Sequence, residues 1–118
     1  MFGWNTLIDQ NTFHEMIGSD IEHLDTLIAL FEEQSKENVE SMQHAIQHHD
    51  VQTFERAAHD LKNLGRNIAS SKLIEHSQEL ERIASETQFD LAATKIDETA
   101  RLLNRALKEL RKLRRKWS

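Results

Sequence analysis

Phe54-Glu55-Arg56-Ala57-Ala58-His59-Asp60-Leu61-Lys62-Asn63-Leu64-Gly65-Arg66-Asn67-Ile68 is the stretch that decides how this chain folds. Its apolar and small positions are Phe54, Ala57, Ala58, Leu61, Leu64, Gly65 and Ile68, and they recur at steps of three and four. A helix gathers such positions into one stripe, and a stripe of that kind faces a core. At about 100° per residue, His59 falls roughly 160° from the centre of the stripe. Lys62 follows one turn later and Arg66 nearly two turns later, towards the same side. Core packing therefore gives no reason for an imidazole at position 59.

The same period continues on both sides of this stretch. A short helix is expected around 10–17, with Phe13, Met16 and Ile17 facing in and Gly18-Ser19-Asp20 as a stop followed by a cap. From 21 to about 48, the positions Ile21, Leu24, Leu27, Ile28, Phe31, Val39, Met42 and Ile46 mark a long amphipathic helix whose inward face is weakly defined over the polar stretch 32–38. His48-His49-Asp50 reads as a turn, with Asp50 capping the helix that carries His59 to about 69. Ser70-Ser71 is the next break. A helix over about 72–86 turns Leu73, Ile74, Leu80, Ile83 and Ala84 inward, and Thr87-Gln88-Phe89-Asp90 reads as a turn with Asp90 as cap. The last helix runs from 91 towards 116 through Ile96, Ala100, Leu103, Leu107, Leu110 and Leu113. Short turns between four long helices imply an all-α, antiparallel, up-and-down four-helix bundle, with the short first helix lidding one end.

Composition agrees. The chain of 118 residues suits one domain over 1–118, and it has no proline, no cysteine and only three glycines. The absence of cysteine removes disulfides and thiolate metal sites and fits a reducing compartment. There is no run of eighteen apolar residues, and Met1-Phe2-Gly3-Trp4 lacks the basic and apolar regions of a secretory signal. The expected location is cytoplasmic. The net charge of −5 conceals a basic end: residues 101–118 carry eight Lys/Arg and one acid, Glu109, whereas the first hundred residues sum to −12. An acidic body argues against nucleic-acid binding.

An exposed imidazole is neutral near pH 7 and can accept a phosphoryl group on nitrogen. A cation one turn away, such as Lys62, then stabilises the added negative charge. The competing reading is an incidental surface histidine. Ala58-His59-Asp60-Leu61-Lys62, followed by Gly65, Ile68, Leu73 and Leu80-Glu81, resembles the histidine-containing phosphotransfer (HPt) domain of two-component phosphorelays. That family's pattern is Ala-His-x-Leu-Lys-Gly, a small residue, an apolar residue, Gly-Ala and a Leu-rich helix with Leu-Glu. Leu30-Phe31, Ala45 and Asp50 match upstream, and the resemblance spans about residues 8–110.

The resemblance implies that His59 receives and returns a phosphoryl group, that Lys62 contacts it, and that an apolar surface beside His59 docks the partner. The implied partners are response-regulator receiver domains and a hybrid sensor kinase. It implies a carrier without ATP binding or autokinase activity and with no cofactor or metal of its own, the Mg²⁺ belonging to the receiver; a monomer is expected. Asn63 and Arg66 would form the docking rim. Gln78 and Glu81 on the following helix would either orient the imidazole or stand at the surface. Two positions depart from the pattern: Asn63 and Ala69 stand where the family has glycine, and Gly65 falls on the buried stripe, where it permits close helix contact. Asn63 motivates an alternative, an HPt-like module that docks a receiver or another regulator without carrying phosphate.

Other features are weighed similarly. His44 and His48, four apart, are a metal pair lacking a third ligand. His14, His23 and His76 read as solvent-facing. The basic end reads as a solvated helix terminus aligned with the helix dipole, or else as an amphipathic patch, with Leu107, Leu110, Leu113 and Trp117 on one side, for an acidic receiver, nucleic acid or anionic lipid.

Overall fold

Aspartate or serine caps open the first four helices. Asp9, Asp20, Asp50 and Ser70 each accept a hydrogen bond from the backbone N–H three residues on, meeting donors that a helix start leaves unpaired. The structure, a computed structural model, describes residues 6–117; residues 1–4, read above for a leader, lie outside it. The helices are α1 (Gln10–Ile17), α2 (Ile21–Gln47), α3 (Val51–Asn67), α4 (Ser71–Ser85) and α5 (Phe89–Trp117). No strand occurs among the described residues, and no helix is long and apolar enough to cross a membrane.

Three turns between the long helices share one solution. The N–H of Asp50, Ser70 and Gln88 returns to the carbonyl of Ala45, Gly65 and Ile83, at 2.8, 2.8 and 3.1 Å. This is the Schellman closure, and it needs a left-handed residue just before the returning N–H. Those residues are His49 (φ 52°), Ala69 (φ 56°) and Thr87 (φ 51°), none of them glycine. Left-handed backbone costs an L-residue about 1–2 kcal/mol. Ala69 therefore carries a conformational cost at a position where the family pattern has glycine. Thr87 is the clearest case, being β-branched and exposed. Thr87→Gly is expected to raise stability by about 0.5–1 kcal/mol, the relief being partly offset by the freer unfolded chain. A denaturant midpoint at or below that of the wild type would contradict this.

Asp90 is not a cap. The Gln88 carbonyl accepts from Ala92 N–H at 2.9 Å, so α5 begins at Phe89 and Asp90 lies in its first turn, where the helix dipole favours an acid.

The long helices form a closed square. α3 packs on α2 and α4, and α5 packs on the same two, so α3 and α5 stand diagonally opposed. Leu24, Phe31, Met42, Phe54, Leu61, Leu73, Leu80, Ile83, Leu103 and Leu110 fill the centre. The polar stretch of α2 contributes Asn38, which is buried and donates to the Ala57 carbonyl at 2.8 Å; its Oδ1 has no partner among the described residues. Leu7 and Ile8 are buried too. The carboxylate of Glu109, the single acid of the basic end, accepts from their backbone N–H groups at 2.9–3.0 Å. The Asp9 N–H reaches the Ala69 carbonyl at 3.0 Å, which sets α1 as a lid near the α3–α4 turn. Two turns of helix bury Phe13 and Ile17, but Met16, one position off their line, is 49% exposed and does not face in.

His76 also corrects the sequence reading. It is buried at the α4–α5 contact, with Nε2 2.7 Å from Thr99 Oγ1. The Thr99 hydroxyl spends its one proton on the Lys95 carbonyl, so His76 Nε2 is the donor. Burial lowers the His76 pKa from 6.5, against the raising pull of Glu98 and Glu79. Well above pH 6.5 the ring is neutral in both folded and unfolded chains. As pH falls through 6.5 the unfolded chain takes up the proton first, and stability is lost until the folded ring titrates. Wild type is expected to lose stability relative to His76→Gln, which keeps a donor but cannot titrate, between pH 7.5 and 5.5. Parallel pH–stability curves would contradict this.

The basic end is anchored. Arg111 pairs with Glu32 at 2.8 Å and Arg114 with Asp25 at 2.6 Å, both on α2. Leu110 and Leu113 are buried, and Leu107 and Trp117 pack partly against the core. The apolar side imagined as a lipid-binding face is thus occupied by the bundle itself.

Candidate functional site

The outer face of α3 is where the helix meets solvent between α2 and α4. Ala57, Ala58, Leu61, Leu64 and Gly65 are buried beneath it, whereas His59, Asp60, Asn63 and Arg66 are exposed. Two of these helix residues set the local geometry. Gly65 lies so close to α4 that a Cβ there would stand 3.0 Å from Leu73 Cβ and 3.1 Å from the Ile74 backbone nitrogen. This contact brings α4 against the flank of α3 on which Lys62 lies. Asp50 fixes the other end, accepting from Thr53 N–H and Oγ1 at 3.1 and 2.6 Å.

The imidazole of His59 has no hydrogen bond, ion pair or ring contact among the described residues. The ring is thus exposed and committed to no partner within the described chain. Lys62 does not stand free beside it. Its side chain is only 16% exposed, and Nζ lies 2.7 Å from Glu81 Oε1 on α4. The structure therefore joins Lys62 and Glu81 and leaves the imidazole to neither of the α4 residues proposed to orient it. Gln78 is exposed and makes no hydrogen bond to His59. Arg66 Nη1 donates to Asn63 Oδ1 at 3.5 Å, a long contact that links the two rim residues.

Two grooves border this face on the α2 side. One is polar and is lined by Asn38, Arg56, Asp60 and Asn63. The other is apolar and is lined by Met16, Leu27, Leu30, Phe31, Leu64 and Ile68. Among the described residues, Met16 and Leu30 are two of the three large apolar residues at the surface, at 49% and 48% exposure. Sequence periodicity held a signal for Leu30, which falls off the series Leu24-Leu27-Phe31, but none for Met16, which stands three residues after Phe13 and fits the apolar spacing of α1. His44 and His48 stack with ring centroids 4.1 Å apart, and among the described residues no group of three or more potential ligands could hold a metal ion.

A model of the Hpt domain family matches residues 26–113. The chain belongs to the Hpt domain family. The matched segment contains all of α3 and α4 and most of α2 and α5. Membership makes the chain a histidine phosphotransfer protein of a phosphorelay, a family that works with receiver domains and kinases. The fold of this Hpt domain is similar to the crystal structure of histidine-containing phosphotransfer protein B (HptB) from Pseudomonas aeruginosa PAO1, with a TM-score of 0.82 at 22% identity over 98% of this chain and 100% of that one. No curated protein matches the sequence.

Proposed function

We propose that His59 is the phosphoryl carrier of this Hpt domain, receiving the group from the aspartyl phosphate of a receiver domain and returning it to another. One observation carries the proposal: an uncommitted, exposed imidazole on a helix whose opposite side is sealed in the core. In the transfer the lone pair of the unprotonated ring nitrogen attacks phosphorus. The P–O bond to the receiver's aspartate breaks, and its electron pair stays on the carboxylate. The other ring nitrogen keeps its proton, so the step needs no separate base. Positioning and charge neutralisation supply the rest.

Lys62, one turn from His59, is the cation for the transferred group, and Asn63 and Arg66 form the rim. The apolar groove at Met16 and Leu30 extends the docking surface beside them. The receiver supplies Mg²⁺, the donor is a receiver or a hybrid sensor kinase, and the carrier works as a monomer in the cytoplasm with those partners. The module that docks without phosphate is the less favoured reading, because membership of the Hpt domain family supports a phosphoryl carrier.

Mixing the protein with a ³²P-loaded receiver tests the reading. An acid-labile, base-stable label on this chain is expected, and label retained in His59→Gln would move the chemistry elsewhere.

A further inference from the structure

Lys62 has two claims on it. Its ammonium lies 2.7 Å from Glu81 Oε1, an ion pair across the α3–α4 contact. That oxygen is closed off from solvent, and Lys62 is its sole polar partner among the described residues. A carboxylate oxygen in such a place loses heavily when its partner leaves. Lys62 is also the cation three residues from His59, and side chains at that spacing on a helix are neighbours. Arg66 is seven residues away and already touches Asn63. A phosphoryl group on His59 adds close to two negative charges. One ammonium then faces two anions.

We infer that Glu81 is a positioning residue for phosphoryl transfer: it restrains the Lys62 ammonium from full engagement with phosphohistidine and so keeps the group poised for release. The inference rests on His59 being the carrier. A relay that bound its phosphoryl group with an unopposed cation would be a sink, because tighter holding of the intermediate raises the barrier to onward transfer. Glu81 counters this without touching the group. In the release step the N–P bond breaks, its electron pair returns to the ring nitrogen, and a new P–O bond forms on the receiver's aspartate. Lys62 and Glu81 exchange no proton with the group; they alter only how well its charge is met.

The test is the equilibrium distribution of label between this chain and a receiver domain loaded from acetyl phosphate and shown to label the wild type. Glu81→Gln keeps the side-chain shape and removes the charge. It is expected to shift the equilibrium about 3- to 10-fold towards phosphohistidine, the size of one screened charge near a dianion at a surface. Lys62→Gln is expected to shift it the opposite way. In the double variant, removal of Glu81 is expected to change the ratio less than about twofold, since the residue it acts through is gone. An unchanged ratio in Glu81→Gln, or the same gain with and without Lys62, would overturn the inference. Label retained in His59→Gln would instead strike the assignment of His59. Should Glu81→Gln not fold, Glu81→Asp replaces it; its shorter carboxylate is drawn back from Lys62, and a shift in the same direction is expected.

Discussion

His59→Gln is expected to accept no phosphoryl group from a loaded receiver while folding as the wild type does and docking the same receiver. The expected loss is at least about 100-fold, because the amide that replaces the ring offers no nucleophilic nitrogen and general positioning cannot substitute for the bond-forming atom. Stability should stay within about 0.5 kcal/mol of the wild type, as for surface substitutions away from special contacts. The basis is local: the ring is exposed and bonded to nothing, and the residues that hold α3 in place lie on its other side. Receiver affinity, measured by titration, should be retained, since the groove at Met16 and Leu30 and the rim at Asn63 and Arg66 are untouched. A variant that lost folding or docking together with phosphorylation would show that His59 has a structural part this account denies it.

Gly65→Val is expected to cost about 3 kcal/mol of stability and to lower the melting temperature by roughly 10 °C. Its nearest neighbours would be Leu73 Cβ at 3.0 Å and Ile74 N at 3.1 Å, measured from a first carbon alone. Neither is the free end of a side chain, so neither can swing aside; α4 itself must move. The branched carbons of valine add further overlap in the same gap. Gly65→Ala should be milder, because a gain of about 1 kcal/mol in helix propensity opposes the clash. Wild-type stability for Gly65→Val would mean that α3 and α4 are not held this close. Because Lys62 meets Glu81 across the same contact, the damage should reach phosphoryl transfer as well as folding.

The bundle was legible because its signals were redundant. Apolar spacing, cap residues and the lack of proline all favoured the same helices; Asp20 and Asp50 cap theirs as expected, and Ser70, read only as part of a break, caps α4. The outward placement of His59 followed from angle alone. Single positions were harder. The spacing of α1 points three apolar residues inward, Met16 among them, yet two turns of helix bury only Phe13 and Ile17. A polar residue in a helix usually faces outward, and nothing near His76 in sequence says otherwise; its partner, Thr99, lies 23 residues away on α5. Asn38 is a second buried polar residue hidden in a polar run. Asp90 looked like a cap because the Schellman turn at Thr87 has no glycine to announce it. Lys62 was placed correctly on its face, but its pairing with Glu81 needed the close approach of α4 that Gly65 allows. One-dimensional patterns report which side of a helix a residue occupies; they do not report which neighbour crosses from the next helix.

The most direct measurement is to locate the phosphoryl group. The wild-type chain, labelled by a loaded receiver and held at alkaline pH to preserve the P–N bond, can be cleaved and sequenced by tandem mass spectrometry. The modification is expected on the His59 ring and on none of the other six histidines. Modification of His44, His48 or His49, or of an aspartate or serine in place of His59, would contradict this.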